Sequence, residues 1–137
     1  MQESRDQFEI EALPQNAAIA RERVRRAASS SGIAGPSLDD VEIATGEAVT
    51  NAILYGSPQA DSQITVSCWV AAESPPAFHV EVRDQGRGFD PSHLREGDDD
   101  ALGGRGIRLM RALMDEVTLY YNGRGMVARL TKHLSPP

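Results

Sequence analysis

The chain has a single cysteine, Cys68, and only 5% aromatic residues. One cysteine excludes an internal disulfide. Standing among Ile64, Val66 and Val70 at period-two spacing, it reads as a small buried hydrophobe rather than a reactive or metal-binding thiol. No run of about 18 apolar residues occurs, which excludes a membrane-spanning helix. Met1-Gln-Glu-Ser-Arg-Asp lacks the basic segment and apolar stretch of a secretory leader, so a soluble, cytoplasmic protein is expected. Positive charge is also scarce. With 14 Lys and Arg against 20 Asp and Glu, the net charge is -6, which argues against a surface that tracks nucleic-acid phosphates. The one basic cluster, Arg21, Arg23, Arg25 and Arg26, reads as a solvated helix face or a dock for an acidic partner. Gly-Lys-Ser and Gly-Lys-Thr are absent, so there is no Walker phosphate loop.

What is present suits one ordinary domain. The 137 residues are 40% hydrophobic and 25% charged, without repeats, and residues 1–137 read as a single unit with one core and one site at its edge. Phe8-Glu-Ile10-Glu-Ala alternates as a short strand, and a helix is expected from Pro14 to about Ser31. Ser37, with Asp40 three residues on, predicts the cap of a second helix running through Val41, Ala44, Ala48, Ala52 and Tyr55 to Gly56. Two alternating strands follow, through Ile64 to Val70 and Phe78 to Val82, joined across Pro75-Pro76. His79 alternates with Val80 and is expected to face solvent. Residues 90–103, with Pro91, Gly97 and Asp98-Asp99-Asp100, carry no apolar period and read as a lid loop. Ile107, Met110 and Met114 are helically spaced, and two last strands flank the Asn122-Gly123 turn. The order predicts an α+β two-layer sandwich, with helices packed on one face of a mixed, mostly antiparallel sheet.

Three stretches carry chemistry. Glu47 and Asn51 lie one turn apart on the same helix face, presenting a carboxylate beside an amide oxygen. Such a pair suits Mg²⁺, which takes hard oxygen ligands and shares substrate phosphates, with the carboxylate as base; a polar face in water is the plain alternative. Asp84 ends an apolar strand, where a buried charge needs a hydrogen-bonding partner such as a ligand amine. Gly86 and Gly88 let that turn wrap a flat base, although an ordinary Asp-Gly turn would read the same. Gly103, Gly104 and Gly106 open a helix whose N–H groups and partial positive charge suit a phosphate, with Arg105 or Arg108 adding charge; a bare hinge is the alternative.

In this order the stretches resemble the N, G1 and G2 boxes of the GHKL ATPases, the superfamily of gyrase, histidine kinases and heat-shock chaperones. Gly46-Glu-Ala-Val-Thr-Asn51-Ala52, Asp84-Gln-Gly-Arg-Gly88-Phe-Asp90-Pro91 and Leu113-Met-Asp115-Glu-Val117 are similar to the anti-sigma factor serine kinases of bacteria. The resemblance implies the histidine-kinase-like ATPase fold, ATP and Mg²⁺ as cofactors, and phosphorylation of a serine on an anti-sigma factor antagonist. It also implies sequestration of a sigma factor and a homodimer. By the same resemblance Asn51 is the metal ligand, Glu47 the catalytic base, and Asp84 the acceptor for the adenine amine. Gly86 and Gly88 would line the base. Gly103, Gly104, Arg105, Gly106 and Ile107 would lie at the phosphates beneath the lid. The chain departs from the family at Tyr55, where His is common, at Leu102, where many members carry Arg, and at Gly125-Met126, where Gly-Thr is usual. These departures keep open a nucleotide-binding anti-sigma or switch module with little or no phosphotransfer. A detached histidine-kinase domain fits less well, because no helix with a phosphoacceptor His precedes the boxes and His79, His93 and His133 are scattered.

Overall fold

The computed structural model describes residues 5–57, 62–72, 75–85 and 104–134. The elements run β1 (Arg5–Glu11), α1 (Asn16–Ser30), α2 (Pro36–Tyr55), β2 (Gln63–Ala71), β3 (Ala77–Arg83), α3 (Gly104–Leu113), β4 (Glu116–Tyr121) and β5 (Met126–His133). This is the order the periodicities predict. The five strands form one sheet, β1-β2-β3-β5-β4. A mixed sheet was expected; all four pairings are antiparallel, because each strand reaches its neighbour by a hairpin or a return through helices that reverses its direction. The lid, residues 90–103, lies outside the described residues.

Strand alternation assigns the two faces. Ile64, Val66, Cys68, Phe78, Val80, Val82 and Leu130 share one face and pack against Ala20, Val24 and Ala28 of α1 and Val41, Ala44, Ala48, Val49 and Ala52 of α2. Small residues dominate the helix side, which lets α2 lie close to the sheet beneath the site. The start of α2 differs from expectation. Gly35 is the cap, no side chain bonds to the first turn, and Pro36 takes the first helical position, so Ser37 lies inside the helix. Proline there loses no hydrogen bond and brings a φ already suited to the helix. Three of the four α1 arginines are held in ion pairs: Arg23 with Asp6, Arg25 with Asp39 and Glu42, and Arg26 with Glu22.

On the opposite face the sheet is sealed by its own side chains. Trp69 is 6% exposed, with the Arg5 guanidinium 3.9 Å and that of Arg129 5.2 Å from its ring centroid. Arg129 also bonds Glu81 at 2.8 Å. His79 belongs to this layer. It was expected in solvent, yet it is buried, tilted against Trp69 and within 2.9 Å of Thr131 Oγ1, because neighbouring strands bring large side chains over it. Cys68 is the buried hydrophobe its spacing implied. Burial, assisted by the charge of Asp6 and opposed by Arg23, pushes its thiol from 9.0 up to about 11.

The thiol is largely neutral in both states below about pH 8. Above that the unfolded chain ionises first, so this contribution to stability is lost as pH rises towards 11. Denaturant melts of wild type and Cys68→Ala between pH 8 and 11 should therefore converge, with the alkaline decline of the wild type steeper by on the order of 2 kcal/mol. Parallel declines would contradict the burial of the thiol.

Candidate functional site

Helix α2 turns its apolar stripe, Val41, Ala44, Ala48, Val49 and Ala52, to the core, which leaves Glu47 and Asn51 half-buried along its edge. The start of α3 comes to rest on that edge. A methyl added at Gly106 would stand 3.1 Å from Glu47 Oε2 and 3.3 Å from Asn51 Nδ2, so both side chains would have to give by a few tenths of an ångström. Gly104, Gly106 and Ile107 are buried there and Arg105 points outward, exposed. A helix beginning against a carboxylate and an amide brings the positive end of its dipole beside two oxygen-bearing side chains.

Asp84 follows β3 directly and is 7% exposed. Its Oδ1 accepts the N–H of Met126 at 2.9 Å, and its own N–H donates to Met126 O at 3.1 Å, which ties the strand end to the start of β5. The backbone crowds it on both sides. A methyl at Gly56 would overlap Oδ2 and Cγ of Asp84, and one at Gly125 would overlap the Asp84 carbonyl and stand 2.7 Å from Oδ1. Gly125 is held in place by the turn before it, where Asn122 Oδ1 accepts the N–H groups of Arg124 and Gly125 at 2.8 and 3.0 Å and Gly123 takes φ 91°.

Between these groups lies a cleft, walled by Ala48 and Ala52 of α2, Val82 of β3, Ile107 and Met110 of α3, and Leu119, Met126 and Ala128 of β4 and β5, with Asn51 and Asp84 as its polar residues. Flat apolar walls with one deep carboxylate suit a planar heteroaromatic ring carrying an amine. The Glu47, Asn51 and α3 end suits an anion with a divalent cation. Among the described residues no cluster of three His, Cys, Asp or Glu could cage a metal, so a cation here would draw on Asn51 together with oxygens of its ligand and water, a donor set that fits Mg²⁺.

The expected site residues therefore converge in two groups: Asn51, Asp84 and Ile107 line the cleft, and Glu47, Asn51 and Gly106 meet beside it, with Gly104 at the helix start. Arg105 does not line the cleft. Gly86, Gly88 and Gly103 lie outside the described residues. Sequence reasoning missed the apolar walls contributed by Val82, Met110, Leu119 and Ala128, and missed that Gly56 and Gly125 bracket Asp84.

Comparison with known proteins bears on the same region. A family model described as a histidine kinase-like ATPase domain matches residues 10–132. Serine-protein kinase RsbW of Bacillus pumilus is 31% identical over 142 residues, spanning 94% of this chain and 85% of that protein. Its counterpart from Listeria monocytogenes (strain EGD-e) is 28% identical over 139 residues, 93% of this chain and 86% of that one. Among solved structures, the RsbU and RsbW domains of Rv1364c from Mycobacterium tuberculosis superpose with a TM-score of 0.69 at 23% identity, over 96% of this chain and 33% of theirs. The histidine kinase domain of the Erythrobacter litoralis EL346 blue-light activated histidine kinase gives 0.53 at 20% identity, over 91% of this chain and 62% of that one. These likenesses support the two-layer fold.

Alanine at Gly106 should raise or preserve thermal stability, since it improves helix propensity by roughly 0.5–1 kcal/mol. The same methyl presses on Glu47 and Asn51, so affinity for Mg²⁺-ATP should fall. Melting and calorimetric titration of Gly106→Ala would read the two effects separately, and unchanged affinity would mean that the start of α3 does not meet the ligand.

Proposed function

Because the chain belongs to the histidine kinase-like ATPase domain family, with residues 10–132 matching it, we propose that it is an ATP-dependent protein serine kinase and anti-sigma factor. It phosphorylates a serine of an anti-sigma factor antagonist and sequesters a sigma factor. The observation that carries this reading is the pairing of a buried acceptor, Asp84, at the end of an apolar cleft with Glu47 and Asn51 at the N-terminus of α3. Relatives named serine-protein kinase RsbW match more than nine-tenths of the chain, which supports the choice of serine kinase within the family.

Asp84 accepts from the adenine amine, and Gly86 and Gly88, which follow it in sequence, are assigned to the base by the family resemblance. The N–H groups opening α3 at Gly104, with Gly103 before them and Gly106 leaving room, bind phosphate oxygens, and Arg105 adds charge at that end. Asn51 supplies an oxygen to Mg²⁺. Bound Mg²⁺-ATP contributes the phosphoryl group and neutralises its charge. Glu47 takes the proton of the substrate serine hydroxyl as that oxygen bonds to the terminal phosphorus and the bond to the departing ADP oxygen breaks. The partners are the antagonist, a sigma factor and a second copy in a homodimer, in the cytoplasm. No helix among the described residues is long and apolar enough to cross a membrane.

Calorimetric titration with ATP, with and without Mg²⁺, should give saturable, Mg²⁺-dependent binding; none at millimolar nucleotide would overturn the reading. Transfer of labelled phosphate to a purified antagonist separates the kinase from a sequestering module. Glu47→Ala should retain ATP affinity and lose transfer by roughly 10²- to 10⁴-fold. Unchanged transfer would remove Glu47 from the mechanism.

A further inference from the structure

The three glycines around Asp84 and the turn beyond it are glycine for different reasons. Gly123 has φ 91° and open space where a side chain would stand, so backbone conformation selects it. Gly56 has φ -107° and ψ -3°, which any residue adopts. Space selects it instead, because a methyl there would occupy the position of Asp84 Oδ2 and Cγ. Gly56 is also the C-cap of α2. Its N–H donates to Ala52 O at 3.2 Å, and Ser57 Oγ donates to the same carbonyl at 2.7 Å, so the helix end cannot drift to make room. On the far side Gly125 is fixed by Asn122, and Met126 N–H holds Oδ1. The carboxylate is thus gripped between the end of α2 and the start of β5.

We propose that Gly56 is a specificity-determining positioning residue: by leaving its side-chain position empty it fixes the Asp84 carboxylate in the one orientation that selects an adenine amine over the guanine carbonyl. This rests on the nucleotide reading above and adds to it the device that enforces base choice. A purine presenting a donor at that edge is bound, and one presenting an acceptor meets a carboxylate that cannot swing aside.

The test is a double-mutant cycle of wild type, Gly56→Ala, Asp84→Ala and the double variant, with affinities for ATP and GTP and the melting temperature measured for each. Gly56→Ala should weaken ATP binding by roughly tenfold or more while GTP changes little, so that selectivity collapses. It should also melt lower than wild type. In the Asp84→Ala background the added methyl fills vacated space, so the double variant should match Asp84→Ala in affinity and melt no lower. Wild-type selectivity in Gly56→Ala would overturn the proposal, as would an equal loss of stability in both backgrounds. Should Gly56→Ala fail to fold, folding of the double variant supports the clash with Asp84 and its failure refutes it. A wild-type chain that binds no ATP removes the nucleotide reading and the selectivity with it, while the thermal half of the cycle still reports whether Gly56 acts through Asp84.

Discussion

A carboxylate 7% exposed at the end of a central strand is costly unless hydrogen bonds replace its water, and Asp84 meets that requirement through Met126. Much of the site is arranged by that one bond. It ties the exit of β3 to the entry of β5, sets where the β4–β5 hairpin closes, and so determines where Met126 and Ala128 stand as cleft walls. The same constraint acts on α2, whose C-terminal end must approach Asp84 without a side chain between them. The two layers of the sandwich are therefore registered against each other at the base of the cleft by polar geometry, and elsewhere by small apolar residues.

The second half of the site depends on a different economy of space. Alanines on α2 let that helix lie low on the sheet, and Gly106 lets α3 start against Glu47 and Asn51. Helix α3 is short and its buried residues are few, namely Gly104, Gly106, Ile107 and Met110. Its hold on the body comes through its contact with α2 and through Met114, whose N–H extends the helix by bonding Met110 O at 2.9 Å.

Much of this was legible before any coordinates. Element order, the strand delivering Asp84, and the helix face shared by Glu47 and Asn51 all follow from local periodicity, which depends on neighbours in sequence alone. The last strand, expected beyond the Asn122-Gly123 turn, is β5 for the same reason. What escaped depends on residues far apart in the chain. His79 has the pattern of an outward strand residue, and it is buried because Trp69 of β2 and Thr131 of β5 stand against it from the two neighbouring strands. Gly56 reads as a helix stop, and nothing local tells that Asp84, just past the end of β3, will stand where its side chain would be. Gly35 and Pro36 competed with Ser37 as a helix start, and the proline prevailed because its φ was already set.

The layer that seals the back of the sheet has an optical consequence. Trp69 is the only tryptophan, and it lies on the face away from α2 and α3, between two guanidinium groups and an imidazole. Its emission should be quenched and shifted by the state of that arginine-lined layer and by global unfolding. A nucleotide entering the cleft on the other side would leave it dark to the event. Intrinsic fluorescence of this protein is thus a gauge of the sheet's outer face, and anything that changes it without unfolding the chain must be acting there.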